Sequence, residues 1–187
     1  PQALDALRLD EHGAAALDAL RRGRAPAQHS ARRKTTGTFY TPQPLADFVA
    51  RRTLAPLVAG TAPDAILRLR VVDPAMGSGA FLVAACRYLA SAYERALIEH
   101  GQATPADFDA DARAGVRRLV AERCLVGVDR NPVAVQVARL SMWLATLARG
   151  RPLGFLDHRL RVGDSLVGAS PDDLRRLAIS TARGRDT

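Results

Sequence analysis

Three short apolar runs, each closing on an aspartate, limit the fold of this chain more than any other feature. Leu67-Arg-Leu-Arg-Val-Val-Asp73 and Cys124-Leu-Val-Gly-Val-Asp129 read as buried strands, and His158 to Val162, followed by Gly163-Asp164, reads as a third. Their β-branched, nearly continuous apolar character is that of strands covered on both faces. Helix-forming stretches lie between them. An order of strand, helix, strand, helix, strand requires crossover connections and a parallel α/β sheet. Ligands of such sheets gather at the carboxyl ends of the strands.

Local signals place the helices. In Thr41-Pro-Gln-Pro-Leu45, Thr41 is a candidate cap, and Pro42 or Pro44 suits a first turn. Leu45, Phe48 and Val49 then make an inward face, and Pro56 is expected to end the helix. Pro74-Ala-Met-Gly-Ser-Gly79 is a turn. Ala80 to about Glu99 is a helix with Leu82, Ala85, Cys86 and Leu89 inward. Residues 101–112 are polar and acidic, and a short helix is expected over 113–122. Asn131 reads as a cap and Pro132 as the first helical residue of 133–148, with Val133, Val137, Leu140, Leu144 and Leu147 along one side. A last short helix starts at Ser170-Pro-Asp-Asp, before a polar tail.

The chain divides into a helical arm and basic linker (1–36), a ligand-binding part (37–170) and a short helix with tail (171–187). Leu4, Leu7, Leu17 and Leu20 give the arm a weak amphipathic pattern interrupted at Gly13. Residues 21–36 hold six basic side chains and no large apolar one. They read as an exposed linker or as a strip contacting phosphates. The chain opens at Pro1 rather than at a methionine, which points to a piece of a longer protein.

Composition removes several classes. Hydrophobic residues are 48% and charged residues 25% of the 187, an ordinary globular balance. No run approaches the ~20 apolar residues of a membrane span, and the first residues lack the basic start and apolar core of a signal peptide. Cys86 and Cys124 sit among apolar neighbours, outside any metal-ligand spacing, and read as buried free thiols in a reducing cytoplasm. The four histidines are scattered, so no metal site is expected. Net charge is +8, but Lys34 is the one lysine among 27 basic residues. Such an arginine bias reflects codon usage as readily as selection for a polyanion.

Asp73, Asp129 and Asp164 therefore end three successive strands, and the first is followed by Gly77-Ser-Gly79. Glycines there permit torsions and a close ligand approach that a Cβ would block. A dinucleotide loop needs a third glycine, where this chain has Leu82, and an acid about 20 residues on. Here the second acid is far more distant. A ligand with an amino-acid end, a ribose and an adenine but no diphosphate fits better, and S-adenosylmethionine (SAM) is such a ligand.

Val71-Val-Asp-Pro-Ala-Met-Gly-Ser-Gly-Ala-Phe-Leu82 resembles the cofactor loop of class I SAM-dependent adenine-N6 DNA methyltransferases, nearest those of type IIG restriction–modification and phage-defence systems. Gly37-Thr-Phe-Tyr-Thr-Pro42 is similar to that family's entry motif, Val126-Gly-Val-Asp-Arg-Asn-Pro132 to its ribose-binding strand, and Arg161-Val-Gly-Asp-Ser-Leu-Val-Gly168 to its adenine-binding strand end. The resemblance implies a Rossmann-like sheet with strands one to three present. It implies that Tyr40, Thr41 and Pro42 close over the methionine end. Asp73 and the Ala75, Met76, Gly77 and Gly79 backbone would hold the amino-acid part. Asp129 would take the ribose hydroxyls, with Arg130 and Asn131 beside the adenine, and Asp164 the adenine amino group, with Ser165 and Leu166 near the ring.

The family's catalytic Asn-Pro-Pro-Tyr element occurs nowhere in the chain. The expectation is thus a cofactor-binding portion, inactive alone, of a cytoplasmic enzyme that methylates flipped-out adenine in DNA. Strand one would keep an open edge, completed by a partner chain or a missing C-terminal region. The alternatives are a degenerate module binding SAM or DNA, an RNA or protein methyltransferase, and, more distantly, a nicotinamide-dependent oxidoreductase.

Overall fold

The computed structural model describes residues 41–146 and 153–167. Tyr40, the 1–36 arm, Leu147, the helix expected from Ser170 and the 171–187 tail lie outside them. The elements are α1 (Gln43–Val58), α2 (Pro63–Ile66), β1 (Val71–Asp73), α3 (Ala80–Glu99), α4 (Ala110–Cys124), β2 (Leu125–Asp129), α5 (Pro132–Ala145) and β3 (Leu160–Val162). The strands form one parallel sheet in the order β1-β2-β3. No helix among the described residues is long and apolar enough to cross a membrane.

Register fixes which side chains share a face. Asp73 pairs with Gly127, Gly127 with Leu160, and Asp129 with Val162. Side chains alternate with period two, so Asp73, Gly127, Leu160, Asp129 and Val162 belong to one face. That face carries the helices. Leu82, Cys86 and Leu89 of α3, Val120 and Cys124 of α4, Val135 and Met142 of α5, and Leu125 and Leu160 of the sheet form the main core. On the opposite face Val72 is 60% exposed, and β1 has no strand neighbour on its outer side among the described residues. An apolar groove of about 280 Å³ runs beside β1, between Val49 and Leu54 of α1 and Phe81 of α3.

The expected strand–helix order holds, and α3 occupies the expected residues with Leu82, Ala85, Cys86 and Leu89 buried. Several local expectations are corrected. Thr41 does not cap α1: Pro42 stands at the cap, its carbonyl accepting the Leu45 and Ala46 amides at 3.1 and 3.2 Å. Pro56 does not end α1, which continues to Val58. A proline in the last turn forfeits one amide bond, and the helix resumes when Ala59 N–H donates to the Ala55 carbonyl at 3.2 Å. The inward face of α1 is Ala46, Ala50 and Leu54 rather than Leu45, Phe48 and Val49. Alanines let α1 lie close against Ala84 and Phe81 of α3.

Strand one starts at Val71, not Leu67, because α2 and a turn use the preceding residues. The helix expected over 113–122 is longer. Asp109 caps it, accepting the Ala112 amide at 2.7 Å, so α4 opens at Ala110 and runs to Cys124. Asn131 caps α5 as expected, its Oδ1 accepting the Val133 amide at 3.0 Å, with Pro132 in the first turn. The buried side of α5, however, is Ala134, Val135, Ala138 and Met142, and Val133, Val137, Leu140 and Leu144 face outward. The close approach of α5 to the glycine loop selects small residues there. A Cβ on Gly79 would lie 3.2 Å from the Ala138 Cβ.

Both cysteines are buried free thiols. Burial pushes the Cys86 thiol up to about 12, so it stays protonated and inert at neutral pH.

Gly127 is the tightest point of the core. A Cβ there would collide with the Met76 Sδ and approach the Leu82 Cδ1 to 2.7 Å. Gly127→Ala should therefore destabilise by about 1–3 kcal/mol. Each kcal/mol corresponds to roughly 2–4 °C in Tm at this size, and a thermal melt monitored by circular dichroism reads it directly.

Candidate ligand site at the strand ends

The sequence Asp73-Pro-Ala-Met-Gly-Ser-Gly79 turns the chain from β1 into α3 with little room to spare. Pro74 cannot extend the strand ladder, and Gly77 and Gly79 adopt φ of 54° and 85°, the left-handed region that side chains disfavour. The turn is closed by the Gly79 amide donating to the Met76 carbonyl at 2.8 Å. The Met76 amide in turn donates to the Val128 carbonyl at 3.0 Å, so the loop is stitched to β2.

Asp129 completes the stitching. Its Oδ2 accepts the Gly77 amide at 2.8 Å, and its Oδ1 accepts the Asn131 amide at 2.8 Å. Each oxygen keeps a second lone pair for another donor. On the far side Ser165 Oγ–H donates to the Pro74 carbonyl at 2.7 Å, bringing the segment after β3 onto the same loop. Asp164 Oδ1 accepts the Leu166 and Val167 amides at 3.0 Å each, and its Oδ2 faces the Arg130 guanidinium Nε at 3.2 Å. Three strand ends and one glycine turn are thus joined by hydrogen bonds.

The electrostatics differ from acid to acid. Asp73 Oδ1 accepts the Ala75 amide at 3.2 Å, but its Oδ2 is buried and has no hydrogen-bond partner among the described residues. Burial raises the Asp73 carboxyl above the usual range, the Ala75 amide draws it partly back, and the nearby Asp129 charge adds to the rise. Asp164 is held below that range, chiefly by the Val167 and Leu166 amides, with Arg130 contributing. A buried, unpartnered carboxylate oxygen is costly unless a cationic or hydrogen-bonding group meets it. The arrangement can therefore take an ammonium or hydroxyl-bearing ligand, and its polarity argues against a purely apolar one.

The residues singled out in the sequence are not used alike. Asp73, Ala75, Gly77, Asp129, Asn131, Asp164 and Ser165 meet in the network just described. Met76 contributes backbone only, because its side chain turns into the core beneath Gly127. Gly79 caps α3 rather than facing the mouth. Arg130 pairs with Asp164 instead of standing free, and Leu166 is 96% exposed. Thr41 lies with Ser78 and Ala80 around a cavity of about 310 Å³ on the outer side of the glycine turn. The sequence reading missed Ser78 in that role and the bond from Gly77 to Asp129. Ser78 sits inside the turn motif itself, but nothing in the spacing announces a contact 52 residues apart.

Comparisons with known proteins agree on one kind of enzyme. Residues 60–152 match the family described as "MmeI, DNA-methyltransferase domain". The chain is 26% identical over 193 residues to the "Putative type II restriction enzyme and methyltransferase RM.MjaORFECS2P" of Methanocaldococcus jannaschii, a match covering 79% of this chain and 16% of that protein. It is 32% identical over 162 residues to the "Adenine-specific methyltransferase PglX" of Streptomyces coelicolor, covering 77% of this chain and 12% of that protein. The chain thus spans less than a fifth of the length of these curated relatives. No solved structure matches it.

Because its folded state holds the Asp73 proton more tightly than the unfolded chain does, this group lowers stability as pH rises above the ordinary carboxylate range. Asp73→Asn removes that penalty. Without added ligand, the two proteins should melt together in acid, and the variant should melt higher at neutral pH. Thermal melts across a pH series check both the gap and its sign.

Proposed function

We propose that this chain, which is similar to a DNA-methyltransferase domain, to a type II restriction enzyme and methyltransferase and to an adenine-specific methyltransferase, is the SAM-binding portion of a class I adenine-N6 methyltransferase acting on DNA. The observation that supports the reading is the buried, unpartnered Asp73 Oδ2 beside Asp129 at the end of a glycine turn. A cation is the natural complement of that atom, and SAM carries both an ammonium and a sulfonium. The residues present fit the group.

In this reading Asp73 accepts the ammonium, and the backbone from Ala75 to Gly79 lies along the amino-acid part. Tyr40, Thr41 and Pro42 close that end. Asp129 uses its free lone pairs for the ribose hydroxyls while its bonds to the Gly77 and Asn131 amides keep it in place. Arg130 and Asn131 border the adenine. Asp164 accepts the adenine amino group on the oxygen it now shares with Arg130, whose exposed guanidinium can move aside, and Ser165 and Leu166 lie near the ring. SAM supplies an electrophilic methyl group. The residues of this chain bind, orient and exclude water around it, and such positioning is the main part of the rate enhancement.

The Asn-Pro-Pro-Tyr element that would orient a flipped-out adenine is not in the sequence. We assign it, together with the parts that read the DNA sequence, to the remainder of a longer protein or to a partner chain. The chain alone is then a binder without turnover.

Calorimetry with SAM and with NAD, titrated separately, tests the reading. SAM should bind with one site per chain and NAD should give no heat. A charge-assisted hydrogen bond is worth about 1.5–3 kcal/mol, so Asp129→Ala should weaken SAM on the order of tens-fold. Absence of SAM binding, or equal binding of NAD, would remove the proposal.

A further inference from the structure

Val133, Val137, Leu140 and Leu144 repeat at intervals of four, three and four residues along α5, which puts them on one helical face. They are 67%, 43%, 46% and 56% exposed. A row of four large apolar side chains left to water calls for a cover. Beside its C-terminal end lies a polar trough. Two adjoining cavities of about 420 and 310 Å³ share Arg87, Leu144 and Ala145. Arg117 lines the larger one, and its buried Nε has no hydrogen-bond partner among the described residues. Glu94, the acid in that cavity, is already paired with Arg113 at 3.0 Å. Among the described residues, the surface is therefore an apolar row bordered by three arginines and one acid.

We infer that residues 3–20 of this same chain dock on the outer face of α5, leucines against the apolar row and acids toward Arg87 and Arg117. Three observations converge on that occupant. Thr41, the first described residue, lines the same cavity as Leu144, Ser141 and Arg87, so the tether from residues 3–20 joins the described structure beside this surface. The segment offers Leu4, Leu7, Leu17 and Leu20 together with Asp5, Asp10, Glu11 and Asp18 against a single basic residue, Arg8. Its charge is thus opposite to that of the trough, whereas the intervening residues 21–36 are basic and do not match it. Some 20 residues of connecting chain reach at most ~70 Å, and α5 is only ~21 Å long. Tethering makes the encounter intramolecular, which favours it over a second copy at micromolar concentration.

Hydrogen exchange read by mass spectrometry on the full chain tests this. Leu7→Ser combined with Leu17→Ser should raise exchange across α5 several-fold and leave α3 unchanged. Val137→Ser combined with Leu140→Ser, both at exposed positions, should raise exchange in residues 3–20 to a similar degree, and Arg87→Glu should do so more weakly. Light scattering should report a monomer throughout. If neither segment responds to changes in the other, or only one does, the contact does not exist. A doubled mass with protection that grows with concentration assigns the apolar row to a second copy and likewise overturns the inference.

Discussion

Asp129 receives the Gly77 amide on one carboxylate oxygen and the Asn131 amide on the other. The glycine turn, the end of β2 and the start of α5 take their relative positions from that pair of bonds. Charge-assisted bonds of this kind are about twice as strong as neutral ones, and these two span 52 residues and two residues of chain respectively. One side chain thus fixes a long-range contact and a local cap together. Around it the Met76 amide bonds to β2 and the Ser165 hydroxyl to Pro74, so the segments after all three strands converge on a single loop.

The arrangement depends on close packing behind the site. Gly127 leaves space for the Met76 and Leu82 side chains, and Gly79 lets α3 start against Ala138. Without those two missing side chains the loop could not lie flat on β2 and α5. The site then carries an imbalance: Asp164 is satisfied by amides and Arg130, while one oxygen of Asp73 is buried without a partner. Stability is given up at a place where a positively charged group would restore it. That imbalance is the observation on which the proposed ligand site rests.

Much of this was legible before any coordinates. The three aspartates, the Gly77-Ser-Gly79 turn and the Asn131-Pro132 cap are local signals, each set by backbone torsion or by an unsatisfied amide within a few residues. The helix faces were harder. The large side chains Leu45, Phe48 and Val49 of α1 and Val133, Val137, Leu140 and Leu144 of α5 were expected inward, yet Ala46 and Ala50 with Leu54, and Ala134 and Ala138 with Val135 and Met142, are the buried ones. Hydrophobicity ranks leucine above alanine, but interhelical distance ranks them the other way where backbones approach closely, and that distance is not written in the periodicity. Thr41 and Pro56 misled for local reasons: the Pro42 carbonyl takes the first amides, and a proline in the last turn forfeits only one amide bond.

By itself the sequence determined the order of strands and helices and the acids at the strand ends, because these follow from short windows of residues, and its motifs carried the resemblance to adenine DNA methyltransferases. Only the tertiary structure decided that Gly77 bonds to Asp129, that Asp73 keeps an oxygen without a partner, that Met76 turns inward and that the apolar row of α5 faces out. Those outcomes depend on which segments distant in the chain come within hydrogen-bond reach, and that is a property of the packed fold rather than of any local run of residues.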